Sequence, residues 1–190
     1  MLKQELRKIY KQKRLELSAT ERLKLDDLQL IQLQRLPLEN HIQLILTFWP
    51  LEQHGEMNTH LYTRYLEHAI PNLEVAFPVM NFSAREMNAV LVNDDTEFVE
   101  NEYGIHEPEE GEVVPPEEID LVFVPLLSFD TNGYRVGYGK GFYDRFLKKC
   151  RPDVITVGFS YFDPIDNIED RNQYDVPLNF CITPHKIYEF

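Results

Sequence analysis

Residues 135–144 read RVGYGKGFYD, with Gly137, Gly139 and Gly141 at every second position, Lys140 among them, Arg135 before them and Asp144 after them. A phosphate group needs several backbone N–H donors converging on it, and side chains at those positions obstruct the approach. Alternate glycines remove the obstruction and can present successive amides as a nest. Lys140 and Arg135 would add positive charge where phosphates lie. Asp144 supplies a hard oxygen donor, and a magnesium ion is commonly fixed by one or two carboxylates together with substrate phosphates. Asp175, in QYDVPLN, is a candidate second carboxylate. The spacing is neither the G-x-x-x-x-G-K-[ST] loop nor the dinucleotide G-x-G-x-x-G. Plainer roles remain open, because such glycines also make tight turns and Asp144 can complement the dipole of a helix that it opens.

The loop depends on the elements that flank it. IDLVFVPLL (119–127), a nearly continuous apolar run, predicts a strand buried on both faces and central in its sheet. A helix is expected over 141–150. Ligands of open α/β sheets bind beyond the carboxyl ends of the strands, and the loop 128–140 falls there. At the start, Leu2, Leu6, Ile9, Tyr10 and Leu17 predict an amphipathic helix over 2–17. Ser18 and Glu21 form a capping-box pattern that opens a second helix through Leu36, which Pro37 ends. Further strands are predicted at 42–50, 73–80, 87–93, 154–161 and 179–184, and a helix carries Leu61, Tyr62, Tyr65, Leu66 and Ala69 up to Pro71. Strands alternating with helices predict an α/β fold, a three-layer Rossmann-like domain with a mostly parallel central sheet flanked by helices. A length of 190 residues suits a single domain, 1–190.

Composition narrows the function classes. A net charge of −13 opposes nucleic-acid binding, which rests on many Lys/Arg–phosphate contacts. The run from Asp94 to Asp120 holds 12 acidic residues and no Lys or Arg, and is read as a solvated acidic loop. Two cysteines are too few for a disulfide framework, and neither they nor the six histidines show metal-ligand spacing. The N-terminus is charged, and no stretch approaches the ~20 apolar residues that span a bilayer, so a cytoplasmic location without a membrane partner is expected.

The run DLVFVPLLSFDTNGYRVGYGKGFYDRFL (120–147) resembles the signature of the 5-formyltetrahydrofolate cyclo-ligase family. Lys3-Gln4-Glu5-Leu6-Arg7 is similar to that family's N-terminal K-x-x-x-R helix, WPLEQHGEMNT (49–59) to its proline, glutamate and threonine element, GIHEP (104–108) to its Gly-Ile-x-Glu-Pro, and DVPLNFCIT (175–183) to its ending. The motifs keep their order across nearly the whole length. The resemblance implies an ATP- and Mg²⁺-dependent closure of 5-formyltetrahydrofolate to 5,10-methenyltetrahydrofolate, releasing ADP and phosphate through a phosphorylated formyl oxygen. It further implies ATP contacts from Lys3, Gln4, Glu5, Leu6 and Arg7 and from Arg135, Val136, Gly137, Tyr138, Gly139, Lys140, Gly141, Phe142 and Tyr143. Lys140 and Arg135 would be the catalytic cations. Asp144 and Asp175 would hold the metal. Folate would meet Glu56, Tyr103, Tyr138, Gly139, Lys140, Gly141 and Phe142. The partners implied are these small molecules alone, met by a monomer.

Taken by themselves, the same residues admit simpler readings. Lys3 and Arg7, one helical turn apart, could form a solvated stripe. Glu56 could be the first-turn acid of the helix that follows it, Tyr103 a loop anchor, and Tyr143 and Phe146 core packing. Two rival functions also fit an α/β pocket: a non-catalytic regulator that binds nucleotide or folate, and an enzyme acting on a sugar phosphate. Lys3, Arg7, Lys140 and the two aspartates together favour catalysis, since folate binding alone has no use for a phosphate apparatus.

Overall fold

The structure is a computed structural model that describes residues 1–38 and 41–190. Two helices come first, α1 (Lys3–Glu16) and α2 (Ala19–Leu33). Then follow β1 (Leu44–Leu46), a 3₁₀ turn at Glu52–His54, α3 (Thr59–Ala69), β2 (Glu74–Asn81), β3 (Glu86–Val92), β4 (Phe98–Glu100), β5 (His106–Pro108) and β6 (Val113–Val114). A second 3₁₀ turn at Pro116–Glu118 leads to β7 (Leu121–Val124), β8 (Ser128–Phe129), β9 (Arg135–Val136), α4 (Phe142–Leu147), β10 (Ile155–Phe159), β11 (Phe180–Ile182) and β12 (Ile187–Glu189). The Ser18 hydroxyl accepts from the Glu21 amide at 3.2 Å and the Glu21 carboxylate accepts from the Ser18 amide at 2.8 Å, so the predicted capping box opens α2. Leu2 offers no oxygen to cap α1. There the Glu5 carboxylate accepts from the Leu2 amide at 2.9 Å.

Eight strands form the main sheet in the order β12-β11-β10-β7-β1-β2-β3-β6. The pairs β11-β10, β10-β7, β7-β1 and β1-β2 are parallel, while β2-β3, β3-β6 and β11-β12 are antiparallel, so the parallel centre carries antiparallel margins. Side chains alternate across the central strand. Leu121 and Phe123 pack with Leu33, Tyr62 and Leu66 beneath α2 and α3, and Val122 and Val124 pack with Phe142 and Phe146 of α4. Both faces are therefore covered, which explains why that run is apolar throughout. The chain leaves β1 through α3 towards β2, but leaves β7 through α4 towards β10, in the opposite direction. The junction of β1 and β7 is thus a switch point with a crevice at its carboxyl end.

The expected acidic loop is a correction. Between Asp94 and Asp120 lie the β4–β5 hairpin, β6 and a 3₁₀ turn. Ten of the twelve carboxylates are exposed, but Glu107 and Asp120 are buried. Glu107 accepts from the Met80 amide at 2.7 Å and so fastens the hairpin to β2. Strands of two or three residues carry no readable alternation; their partners define them. The helix expected over 141–150 is also shorter, six residues, because the chain turns after Leu147.

Asp120 holds the entrance of β1 beside β7. Its Oδ2 accepts from the amides of Gln43 and Leu44 at 2.7 and 2.9 Å, and Oδ1 from Arg151. Burial works against its charge, but Arg151 and the two amides outweigh that and hold the carboxyl below its ordinary range. A carboxyl depressed in the folded state stabilises above its unfolded pKa and loses that contribution as pH falls through its folded value. Asp120→Asn is therefore expected to lower stability by about 2 kcal/mol at neutral pH. The gap from wild type closes below about pH 4, as urea unfolding across a pH series would show.

Candidate functional site

A cavity of about 1070 Å³ opens at the switch point. One group of lining residues is charged: Lys3 and Arg7 from α1, Arg135 from β9, Lys140 from the loop, Asp144, Arg145 and Lys148 from α4 and its end, and Asp175. The other is apolar and aromatic: Phe48, Trp49, Pro78, Met80, Phe82, Tyr103 and Ile105. Such a lining suits a ligand with an anionic end and a flat, apolar end.

The glycine loop is gripped by its carbonyls. Arg7 Nε donates to the Gly137 carbonyl at 2.9 Å, and Arg145 Nη2 to the Lys140 carbonyl at 2.7 Å. Among the described residues, no protein group accepts a hydrogen bond from an amide of residues 137–141. The backbone conformation demands glycine at two of these places. Gly139 has φ +91° and its Cβ would stand 3.2 Å from the Arg7 guanidinium, while Gly141, at φ +71°, caps α4. Gly137 has no positive φ, so its part is a lack of bulk rather than an unusual backbone. The loop is seated by Leu6 and Val136, both fully buried in a cluster with Tyr10, Leu127 and Ile168.

Cations and carboxylates of the site are paired with one another. Lys3 Nζ donates to both oxygens of Asp175 at 2.7 and 2.6 Å, and the Asn172 amide adds a bond of 2.8 Å. Arg135, nearly buried, donates to Asp144 Oδ1 at 3.0 Å and to the Val176 carbonyl at 2.5 Å, and Asp144 Oδ1 also accepts from the Val176 amide at 3.0 Å. Burial draws the Arg135 pKa down, with Asp144 and then Asp175 pulling it back. Both aspartates thus act on the same guanidinium. Among the described residues no group of three or more His, Cys, Asp or Glu gathers as a metal cage. Two carboxylates on one cavity wall fit magnesium, which takes few protein ligands and completes its shell with phosphate and water.

Most of the sequence-predicted residues meet at this cavity: Lys3, Gln4, Arg7, Glu56, Tyr103, Arg135, the stretch from Gly137 to Tyr143, Asp144 and Asp175 all line it. Glu5, Leu6 and Val136 do not. Glu5 caps α1, and the other two hold the helix against the loop. The solvated-stripe reading of Lys3 and Arg7 fails, since both are engaged by Asp175 and Gly137. Glu56 lies ahead of α3, whose N-cap is Asn58, and accepts instead from the Leu51 amide at 2.8 Å and from the Tyr138 hydroxyl. Tyr103 stacks on Phe82 with ring centroids 3.9 Å apart, yet stays half exposed. Tyr143 and Phe146 are buried as core residues. The hydroxyl of Tyr143 has no hydrogen-bond partner among the described residues, and burial, then the charge of Glu56, raise its pKa strongly.

Sequence reasoning missed Arg145, Lys148, Trp49 and Phe82 at the cavity, and Arg14 behind it. A helical register counted from Gly141 would have put Arg145 one turn along, under the loop. No local pattern marks Trp49 or Phe82; distant parts of the sheet bring them in.

A model of the 5-formyltetrahydrofolate cyclo-ligase family matches residues 1–184. The chain is 31% identical over 140 residues to the 5-formyltetrahydrofolate cyclo-ligase of Escherichia coli, covering 72% of this chain and 76% of that protein. It is 34% identical over 129 residues to the enzyme of the same name from Haemophilus influenzae, covering 65% and 67%. Among solved structures, the 5,10-methenyltetrahydrofolate synthetase of Aquifex aeolicus superposes with a TM-score of 0.81 at 32% identity, covering all of this chain and 93% of that one. The corresponding synthetase of Mycoplasma pneumoniae gives 0.74 at 25% identity, covering 96% and 98%.

A buried hydroxyl with no protein partner costs stability in the free protein. Tyr143→Phe is therefore expected to unfold in urea at the same or a higher midpoint than wild type, with a gain of up to ~1 kcal/mol. A lower midpoint would show that the hydroxyl is already satisfied.

Proposed function

Because the chain belongs to the 5-formyltetrahydrofolate cyclo-ligase family, we propose that it closes 5-formyltetrahydrofolate to 5,10-methenyltetrahydrofolate at the expense of ATP, as a single-domain monomer in the cytoplasm. The observation that carries the reading is the set of unclaimed amides at 137–141, ringed by Arg7, Lys140 and Arg145 and facing the same cavity as an aromatic wall. A triphosphate matches the first and a pterin the second. Two free thiols, Cys150 and Cys181, accord with a reducing compartment.

A formamide oxygen is a poor leaving group, so the formyl oxygen first attacks the γ-phosphorus and ADP departs. The second folate nitrogen then attacks the activated carbon, loses its proton, and the oxygen leaves as phosphate. Phosphoryl transfer asks a protein chiefly for alignment and charge neutralisation. In this reading Lys3, Gln4, Arg7 and the loop from Arg135 to Tyr143 bind ATP, with Lys140 and Arg135 offsetting the charge that develops in transfer. Glu56 faces the pterin, and the stacked Phe82–Tyr103 pair offers a flat surface to a flat ring. Magnesium, held by Asp144 and Asp175, would screen the phosphate oxygens from one another. Lys3 would then turn from Asp175 towards phosphate, a shift its flexible stem allows.

The direct test is the rise in absorbance of the methenyl product when 5-formyltetrahydrofolate, ATP and Mg²⁺ are mixed with the protein, alongside ADP release. Stabilisation by either ligand without ADP release would identify a regulator instead, and a response to sugar phosphates alone would reject folate altogether. Lys140 is exposed, so Lys140→Ala is expected to lower kcat by about 100-fold or more while the melting temperature stays within about 2 °C of wild type. Asp144→Asn should lose turnover as well, but with a measurable fall in stability, because it weakens the only carboxylate bond that buried Arg135 makes among the described residues. Full activity in either variant would remove that residue from its assigned role.

A further inference from the structure

Arg14, on the last turn of α1, is only 1% exposed and does not line the cavity. A guanidinium taken out of water needs acceptors and a counter-charge. The acceptors are the Leu126 carbonyl, just beyond β7, for Nη2, and the Tyr138 hydroxyl, at 3.3 Å, for Nη1, while Nε has no partner among the described residues. No carboxylate pairs with it directly among the described residues. The counter-charge lies one hydroxyl further on, where Tyr138 donates to Glu56 Oε1 while Glu56 Oε2 accepts from the Leu51 amide at 2.8 Å. The order of the chain is guanidinium, phenol, carboxylate.

Each bond strengthens the next. A phenol oxygen that accepts from a cation becomes a better donor through its own hydrogen. Burial, then the charge of Glu56, push the Tyr138 pKa far above its ordinary range, so the phenol keeps the proton it gives to Glu56 at neutral pH. One oxygen of Glu56 is committed to the backbone and the other to Tyr138, which leaves the carboxylate little freedom to turn. Glu56 and Tyr138 line the cavity; Arg14 stands behind them.

We propose that Arg14 is a positioning residue for the cyclisation, acting through the Tyr138 hydroxyl to hold the Glu56 carboxylate in the orientation that receives the pterin. The proposal rests on the reading of Glu56 as a folate contact. A purely structural Arg14, tying α1 to Leu126, would disturb the nucleotide end and the folate end alike. A positioning Arg14 weakens folate binding selectively, and only while Tyr138 can pass the effect on.

The experiment is a double-mutant cycle of Arg14→Met, Tyr138→Phe and the double variant. The Kd for 5-formyltetrahydrofolate is measured by calorimetry without nucleotide, and the KM for ATP in the coupled reaction. Each single change is expected to weaken folate binding about 10-fold, and the double variant no more than the weaker single one, while the KM for ATP of Arg14→Met, a residue outside the cavity lining, stays within about twofold. Should Arg14→Met fail to fold, Arg14→Lys, which keeps the buried charge, takes its place in the same cycle. Additive losses, an equal loss at ATP in Arg14→Met, or unchanged folate binding by Tyr138→Phe would overturn the proposal and leave the functional reading standing. Wild-type protein that neither binds nor converts 5-formyltetrahydrofolate would sink that reading, and the proposal with it.

Discussion

Two arginines taken almost wholly out of water govern the shape of this site. A buried guanidinium gathers acceptors around it, because each donor left unpaired costs stability. Arg135 finds Asp144 and the Val176 carbonyl, and in doing so binds β9, α4 and the segment before β11 together. Arg14 finds Leu126 and Tyr138, and so joins α1 to the end of β7 and to the glycine loop. Their demand for acceptors fixes where the loop runs. Arg7 and Arg145 then take two of the loop's carbonyls from either side.

The topology explains why one cavity has two walls of different character. Departure of the chain in opposite directions from β1 and β7 leaves a crevice that no helix fills. Its wall beneath α1 and α4 carries cations. The other wall comes from the ends of β1 and β2 and from the β4–β5 hairpin, where Trp49, Phe82 and Tyr103 gather. Within the cavity Lys3 pairs with Asp175 and Arg135 with Asp144, so these four charges neutralise one another. Such pairing keeps cations in place at modest cost.

Net charge and local charge also part company. The molecule carries −13, and most of its acidic run faces water, yet the cavity is lined by six cations, Lys3, Arg7, Arg135, Lys140, Arg145 and Lys148, against four acids, Glu56, Asp144, Asp170 and Asp175. Exposed carboxylates farther off than about 8 Å are largely screened at physiological salt, so the near cations dominate what an anion meets. The acidic surface then favours solubility without cancelling the positive groups of the cavity.

The α/β class, the central place of the strand after Ile119, the capping box at Ser18 and most of the cavity-lining residues were legible in the amino-acid order. The class, the central strand, the capping box and the glycine loop with Arg135, Lys140 and Asp144 depend on local periodicity or on spacing within one loop, where the side chains that produce them are neighbours. Lys3, Arg7, Glu56 and Tyr103, by contrast, follow only from the resemblance of motifs far apart in the chain. The short strands from Phe98 to Val114, the burial of Glu107 and Asp120, and the aromatic wall were not legible, because each exists only through a partner many residues away. Arg14 is the sharpest case. In sequence it is one more basic residue on a charged helix, and only the packing of α1 against Leu126 and Tyr138 removes it from water and turns it towards Glu56. Type and spacing named the chemistry available; long-range packing decided which charges lost their water, and hence which of them must act on one another.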